Sequence, residues 1–169
     1  MAYIHVDHLN KTYRISQRPA GALGALKGLF HREYRQVEAL KNVSFDIDQG
    51  EVVGYIGPNG AGKTTTMNIM TGYLSATEGD VIINGHNILE EPEEAKHCIG
   101  YLPEFPPLYG DMTVSEYLSF CAELKGIPSA QRQLQIDKVV QMAKLRGVYG
   151  RLIRNLSKGY RQRVGLAQA

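Results

Sequence analysis

The strongest chemical feature of the sequence is Gly57-Pro58-Asn59-Gly60-Ala61-Gly62-Lys63-Thr64. It matches G-x-x-x-x-G-K-[ST], with an apolar run before it and a helix-forming stretch after it. Glycines suit a loop whose successive backbone N–H groups must point inward at phosphate oxygens, because a Cβ would obstruct both the turn and the approach. A helix opened by Lys63 adds the positive end of its dipole. The pattern predicts that Lys63 reaches the β- and γ-phosphates as a mobile charge and that the Thr64 hydroxyl ligates Mg²⁺. Thr65 is expected to lend its hydroxyl or amide to a phosphate. The chemistry is the holding of a nucleoside triphosphate, and the loop alone does not choose among ATPases, GTPases and small-molecule kinases.

Other reactive side chains form no comparable constellation. His5, His8, His31, His86 and His97 have no ligand-like grouping on one helix face and read as surface or turn residues. Cys98 and Cys121 lack paired spacing and a secretory context, so they read as reduced, core-like thiols. The acidic patch of residues 90–94 surrounds Pro92 and reads as a solvated helix start.

The phosphate loop needs a strand before it and a helix after it. Residues 51–56 are a nearly continuous apolar run, which predicts a central strand buried on both faces. Residues 64–70 read as the helix, stopped by Thr71-Gly72. Residues 3–9 and 43–47 alternate apolar and polar side chains and predict two half-buried strands. Between them, residues 14–38 read as an insertion. Leu23, Leu26, Leu29 and Phe30 recur there at helical spacing beside Lys27, Arg32 and Arg35, predicting a short basic amphipathic helix. An apolar stripe of this size usually packs on its own domain, although the basic face also suits a membrane surface. A β-turn-β element is predicted at residues 78–85, with Asn84-Gly85 as its turn.

From Thr113 the character becomes helical. Thr113 and Glu116 form a capping box, and Val114, Tyr117, Leu118, Cys121 and Leu124 follow at helical spacing. Ile136, Val139, Val140, Met142 and Leu145 form a second amphipathic pattern before Arg146-Gly147.

With 169 residues, 43% of them hydrophobic, the chain suits one soluble, core-forming domain. A net charge of +2 is too mild to argue for nucleic acid. Nowhere do 18 apolar residues run together, and residues 1–6 lack a basic segment followed by an apolar one, so neither a spanning helix nor a secretion signal is expected.

A second segment narrows the choice of function. Leu156-Ser157-Lys158-Gly159-Tyr160-Arg161-Gln162-Arg163-Val164 resembles the signature motif of ABC ATPases, L-S-G-G-Q followed by basic residues and a helix, which GTPases and kinases lack. Lys158 replaces the third-position glycine and Tyr160 the glutamine, while the serine and the fourth-position glycine remain. The resemblance implies that Ser157 and the Gly159 amide hold the γ-phosphate of ATP bound at the phosphate loop of an opposite subunit, in a head-to-tail dimer that sandwiches two nucleotides. Read from the residues alone, the segment is a helix capped by Ser157 with Arg161 and Arg163 solvated.

Pro58, Asn59, Gly60 and Ala61 are also the filling usual in ABC-type loops. Tyr13 resembles the family's adenine-stacking aromatic, although a strand-end tyrosine could equally pack on the core and an exposed ring can stack any base. Gly100-Tyr101-Leu102-Pro103-Glu104 resembles the Q-loop, which links the nucleotide core to a helical subdomain and faces the transmembrane partner. Glu104 stands where the family usually has glutamine. A carboxylate there can face Mg²⁺, directly or through water, and is repelled by ATP without the metal. The residue by itself reads as an exposed loop carboxylate.

The resemblance implies an α/β P-loop NTPase fold of the ABC ATPase kind, with an antiparallel β subdomain and a helical subdomain. Residues 1–99 are then the nucleotide-binding core with the β subdomain. Residues 100–158 are the Q-loop and helical subdomain, and residues 159–169 start the signature helix. The expected cofactors are ATP and Mg²⁺, with Thr64 and Glu104 on the metal. The expected partners are a second ATP-binding subunit and a membrane permease, with no nucleic acid. The protein would be cytoplasmic, held at the inner face of the cell membrane through that permease.

Residues 73–126 and 156–169 are most similar to ATPases of ABC-2 type exporters, including those for drug efflux, gliding motility and copper-enzyme maturation. The 14–38 insertion is similar to a less characterised branch. The family's Mg²⁺-holding aspartate, water-polarising glutamate and switch histidine follow beyond Ala169, so the chain is expected to be a fragment lacking the C-terminal part of the core. It should hold nucleotide with no catalytic residue of its own. The alternative is a soluble ABC ATPase acting on ribosomes or DNA, which usually carries two cassettes or long coiled-coil inserts.

Overall fold

Alternation of side chains from Ile4 onward produces a strand much longer than residues 3–9 predict. The computed structural model describes residues 2–17 and 33–169, which divide into two compact units, Met1–Ile99 and Gly100–Ala169.

In the first unit, β1 (Ile4–Gln17) pairs antiparallel with β2 (Glu33–Ile47) on one side and β3 (Glu78–Ile83) on the other; β4 (His86–Asn87) completes the order β2-β1-β3-β4. Helix α1 (Lys63–Met70) contributes Thr66, Ile69 and Met70 to buried positions. Ile69 and Met70 join Val6, Leu9, Leu40, Val81, Ile83, Ile88 and Ala95 in one apolar cluster. The turn at Asn84-Gly85 takes positive φ at both residues, 50° and 87°, as a tight hairpin requires. Pro92 opens the short helix α2 (Pro92–His97) at the acidic patch.

Two expectations for this unit change. The flanks of the 14–38 insertion are strand, with Arg14 opposite Gln36, Ile15 opposite Arg35 and Ser16 opposite Tyr34, so β1 and β2 continue as a ladder past the sheet. Arg14, Ile15 and Tyr34 face solvent, so ladder hydrogen bonds rather than a core hold this extension. The helical pattern at Leu23, Leu26, Leu29 and Phe30 lies outside the described residues.

The second change concerns residues 51–56, which form no strand. Val52 is 100% and Ile56 93% exposed. A strand buried on both faces needs ladder partners, and no described strand pairs with this run. Tyr55 is anchored, its ring 5.9 Å from that of Phe45 and its hydroxyl 3.3 Å from Thr66 Oγ1.

The second unit is helical. Helix α3 (Val114–Leu124) begins at the predicted capping box: Thr113 N–H donates to Glu116 Oε2 at 2.7 Å, and Glu116 N–H donates to Thr113 Oγ1 at 3.2 Å. The bond from Thr113 N–H foremost, with a second donated by the Thr113 hydroxyl at 2.8 Å, holds the Glu116 carboxyl below its ordinary pKa. Helix α4 (Ser129–Met142) follows, then 3₁₀ turns at Arg146–Val148 and Ile153–Asn155, and helix α5 (Lys158–Gln168). Val114, Tyr117, Leu118, Ile136, Val140, Leu145, Ile153, Leu156 and Val164 share one buried cluster. Burial raises the pKa of the Tyr117 hydroxyl and the Cys121 thiol.

Helix α4 stops earlier than the pattern through Leu145 predicts. Lys144 turns left-handed at φ 54°, Leu145 N–H bonds Val140 C=O at 2.9 Å, and Leu145 is fully buried while Met142 is exposed. The helix-end turn, rather than another helical turn, carries Leu145 into the core.

Candidate functional site

The phosphate loop is shaped by two glycines with φ of 85°, Gly60 and Gly62, and by a turn in which Ala61 N–H donates to Pro58 C=O at 3.2 Å. Gly62 has little alternative. A Cβ there would stand 2.4 Å from Leu40 Cδ2 and 2.7 Å from the Ala39 carbonyl, so strand β2 presses against the loop from outside.

Gly62 is also the N-cap of α1, and no side chain caps that helix. The first backbone bond at its start runs from Thr66 N–H to Gly62 C=O at 2.9 Å. The amides of Lys63, Thr64 and Thr65 therefore have no intrahelical acceptor, and they carry the positive end of the helix dipole. Lys63 Nζ folds back over the loop and donates to the carbonyls of Gly57 and Pro58 at 2.6 and 2.8 Å. The Thr66 hydroxyl beneath donates to Gly62 C=O at 3.2 Å and ties loop to helix.

Ala39, Asn59, Gly60, Gly62, Lys63, Thr64 and Thr65 line a concavity of about 260 Å³ that contains no carboxylate. A mobile ammonium, uncapped amides and open glycine backbone suit an anion with several oxygens, so the residues fit a nucleoside triphosphate. Thr64 faces solvent and its hydroxyl suits a hard cation bound beside such phosphates. Ala39 was not legible in the sequence as a site residue, because nothing in its type marks it; the register of β2 brings it to the loop.

Tyr13 lies on β1 opposite Val37, near the point where Lys11 pairs with Leu40. Tyr13 is 38% exposed, with Lys11 Nζ 5.3 Å from its ring centroid. The phosphate loop and Tyr13 thus belong to the first unit.

The remaining candidates belong to the second unit. Glu104 is exposed in an irregular segment, and its carboxylate makes no ion pair among the described residues. Its backbone carbonyl accepts a hydrogen bond from Gln162 Nε2 at 2.6 Å. Ser157 caps α5, its Oγ accepting from Tyr160 N–H at a long 3.4 Å, and so is weakly held. Gly159 sits in the first turn with open space where a Cβ would stand. Arg163 lies 5.4 Å from the Tyr160 ring centroid, and Arg161 donates to the Leu156 carbonyl rather than standing free in solvent. Gln162 was likewise not legible in the sequence as a site residue, because its hydrogen bond is to a carbonyl 58 residues away.

Among the described residues no group of three or more metal-ligating side chains gathers, and no helix is long and apolar enough to cross a membrane.

Comparison with known proteins agrees with this geometry. The family model described as "ABC transporter" matches residues 40–169. An uncharacterized ABC transporter ATP-binding protein of Bacillus subtilis, YxlF, is 40% identical over 138 residues, covering 82% of this chain and 45% of that protein. A taurine import ATP-binding protein of Roseobacter denitrificans is 35% identical, covering 78% of this chain and 48% of that protein. The chain thus spans less than half the length of these bacterial relatives. A structure described as an ATP binding subunit of an ABC transporter superposes with a TM-score of 0.76 at 27% identity, covering 99% of this chain and 61% of that one. The cassette MJ0796, solved as a dimer, superposes with a TM-score of 0.74 at 26% identity, covering 98% of this chain and 68% of that one. A further MJ0796 structure, described as bound to ADP and Pi, gives 0.73 at 25% identity, with coverage of 98% and 68%. The fold is that of the P-loop NTPases of the ABC ATPase kind, and this chain belongs to the ABC transporter family.

Proposed function

We propose that this chain is the nucleotide-holding part of an ATP-binding subunit that drives export through a membrane permease. The single observation that carries the reading is the loop of residues 57–64 opening onto an α1 N-terminus with no side-chain cap, with Lys63 folded over it. Backbone amides of residues 60 and 62–65 take the phosphate oxygens, Lys63 swings from the Gly57 and Pro58 carbonyls to the terminal phosphates, and Thr64 and Glu104 each face Mg²⁺. Tyr13 stacks on the base. The bound nucleotide supplies the free energy of phosphoryl transfer. Ser157 and the Gly159 amide meet the γ-phosphate held by a second copy, arranged head to tail; the dimeric form of MJ0796 supports such a pairing.

The division into a nucleotide core at residues 1–99, a Q-loop and helical subdomain at 100–158, and the signature helix from 159 follows from these roles. Export of the ABC-2 type rests on the likeness of residues 73–126 and 156–169 to such ATPases; relatives of this chain also include an importer component. The permease would hold the protein at the inner face of the membrane, and nucleic acid has no part in the reading.

Calorimetric titration with ATP tests the core of the proposal. Parent protein should bind, and Lys63→Ala should lose most of that affinity; equal binding by both sinks the reading. Co-purification with a permease encoded beside the gene tests the transport half, and a soluble complex with ribosomes in its place overturns it.

A further inference from the structure

Among the described residues, the segment from Gly100 to Pro106 has no backbone–backbone hydrogen bond between Gly100 and Phe105, and Pro103 and Pro106 supply no N–H. Its placement therefore comes from what it touches. In α5, Gln162, Gly165 and Gln168 recur every third residue and fall along one side of the helix. Gln162 Nε2 donates to the Glu104 carbonyl at 2.6 Å and Gln168 Nε2 to the Tyr101 carbonyl at 3.4 Å. Between them, a Cβ at Gly165 would stand 2.7 Å from Leu102 Cδ1 and 2.9 Å from Pro106 Cβ, so helix and segment approach as closely as a bare backbone permits. The Glu104 side chain has no ion-pair partner among the described residues, so its direction follows from how its backbone is seated.

We propose that Gln162 is a positioning residue for Glu104: its hydrogen bond to the Glu104 carbonyl seats the 100–106 segment on α5 and sets the direction of the Glu104 carboxylate. The proposal rests on the reading of Glu104 as a metal-facing residue.

The test measures ATP binding by the full-length protein as a function of Mg²⁺, and again without metal. Gln162→Met keeps the side-chain length and removes the donor; Gln162→Lys restores a donor of similar reach. The expected result for Gln162→Met is a rise of about 3–10-fold in the Mg²⁺ concentration giving half-maximal binding, the size of one lost hydrogen bond, with metal-free ATP binding not weakened. Gln162→Lys should return it to within about twofold. Gly165→Ala, which presses the segment off the helix and leaves Gln162 intact, should shift Mg²⁺ dependence in the same direction.

An unchanged Mg²⁺ dependence in Gln162→Met, equal weakening with and without metal, absence of rescue by Gln162→Lys, or no shift in Gly165→Ala each overturns the proposal. Glu104→Ala separates the two levels. If it shifts Mg²⁺ dependence and Gln162→Met does not, Glu104 faces the metal and the seat is irrelevant. If Glu104→Ala changes nothing, the metal-facing reading falls and the proposal with it.

Discussion

The two units solve the burial problem in opposite ways. In residues 100–169, helices α3, α4 and α5 close an aliphatic core among themselves, so that Val114, Leu145 and Val164 are fully buried within a stretch of local sequence. In residues 1–99 the sheet and α1 bury Val6, Leu9 and Ile69, yet Val52 and Ile56, immediately before the phosphate loop, face solvent. A helix satisfies its backbone internally and needs only a packing partner, whereas an apolar strand needs hydrogen-bonding neighbours before its side chains can be buried. The phosphate loop is nevertheless shaped, because its geometry depends on glycine dihedrals, the start of α1 and the pressure of β2 on Gly62, all local to the first unit.

The largest expected effect breaks or confirms that contrast directly. Leu145→Ala should cost the second unit about 3 kcal/mol, read as faster hydrogen exchange of its core amides, whereas Ile56→Ala should change stability by less than about 0.5 kcal/mol. Equal losses at the two positions would erase the contrast. Within the first unit, Gly62→Ala combines a positive φ with contacts below 3 Å to Leu40 and Ala39 and should cost about 2–3 kcal/mol, measured by urea unfolding with a probe near the loop.

Lys63→Ala should weaken ATP binding by about 10–100-fold, the range of a lost charge-assisted contact, without lowering thermal stability. Tyr13→Ala should weaken it by about tenfold and Tyr13→Phe much less, as loss or retention of a stacking face requires; equal effects would remove Tyr13 from the site. The smallest effect concerns the second unit. Thr113→Ala should cost α3 about 1 kcal/mol. The Glu116 side of the same capping box is pH-dependent. Its folded-state pKa lies below the ordinary 4.5, so its stabilisation is complete above that value and is lost as pH falls through the lowered one. Glu116→Gln should flatten that part of the acid unfolding curve.

These positions also show how far the sequence could be read. Gly57 to Thr65, the capping box at Thr113, the Asn84-Gly85 turn and the ends of α1 were legible because each is decided by residues a few places apart. The extended ladder of β1 and β2 was not. Ile15 and Tyr34 sit on it exposed, and without a buried face their alternation carries no signal. Met142, of the same predicted apolar pattern, is exposed while Leu145 is buried, because a left-handed Lys144 turned the chain.

By itself the sequence determined the shape of the loop at residues 57–64, since such a loop is a local arrangement of glycines, one lysine and a helix start. Tertiary structure alone decided that Ala39 lines that loop and that Gln162 holds the Glu104 carbonyl. Each of these depends on strands or segments far apart in the chain, and no short-range pattern records which distant backbone will supply the partner.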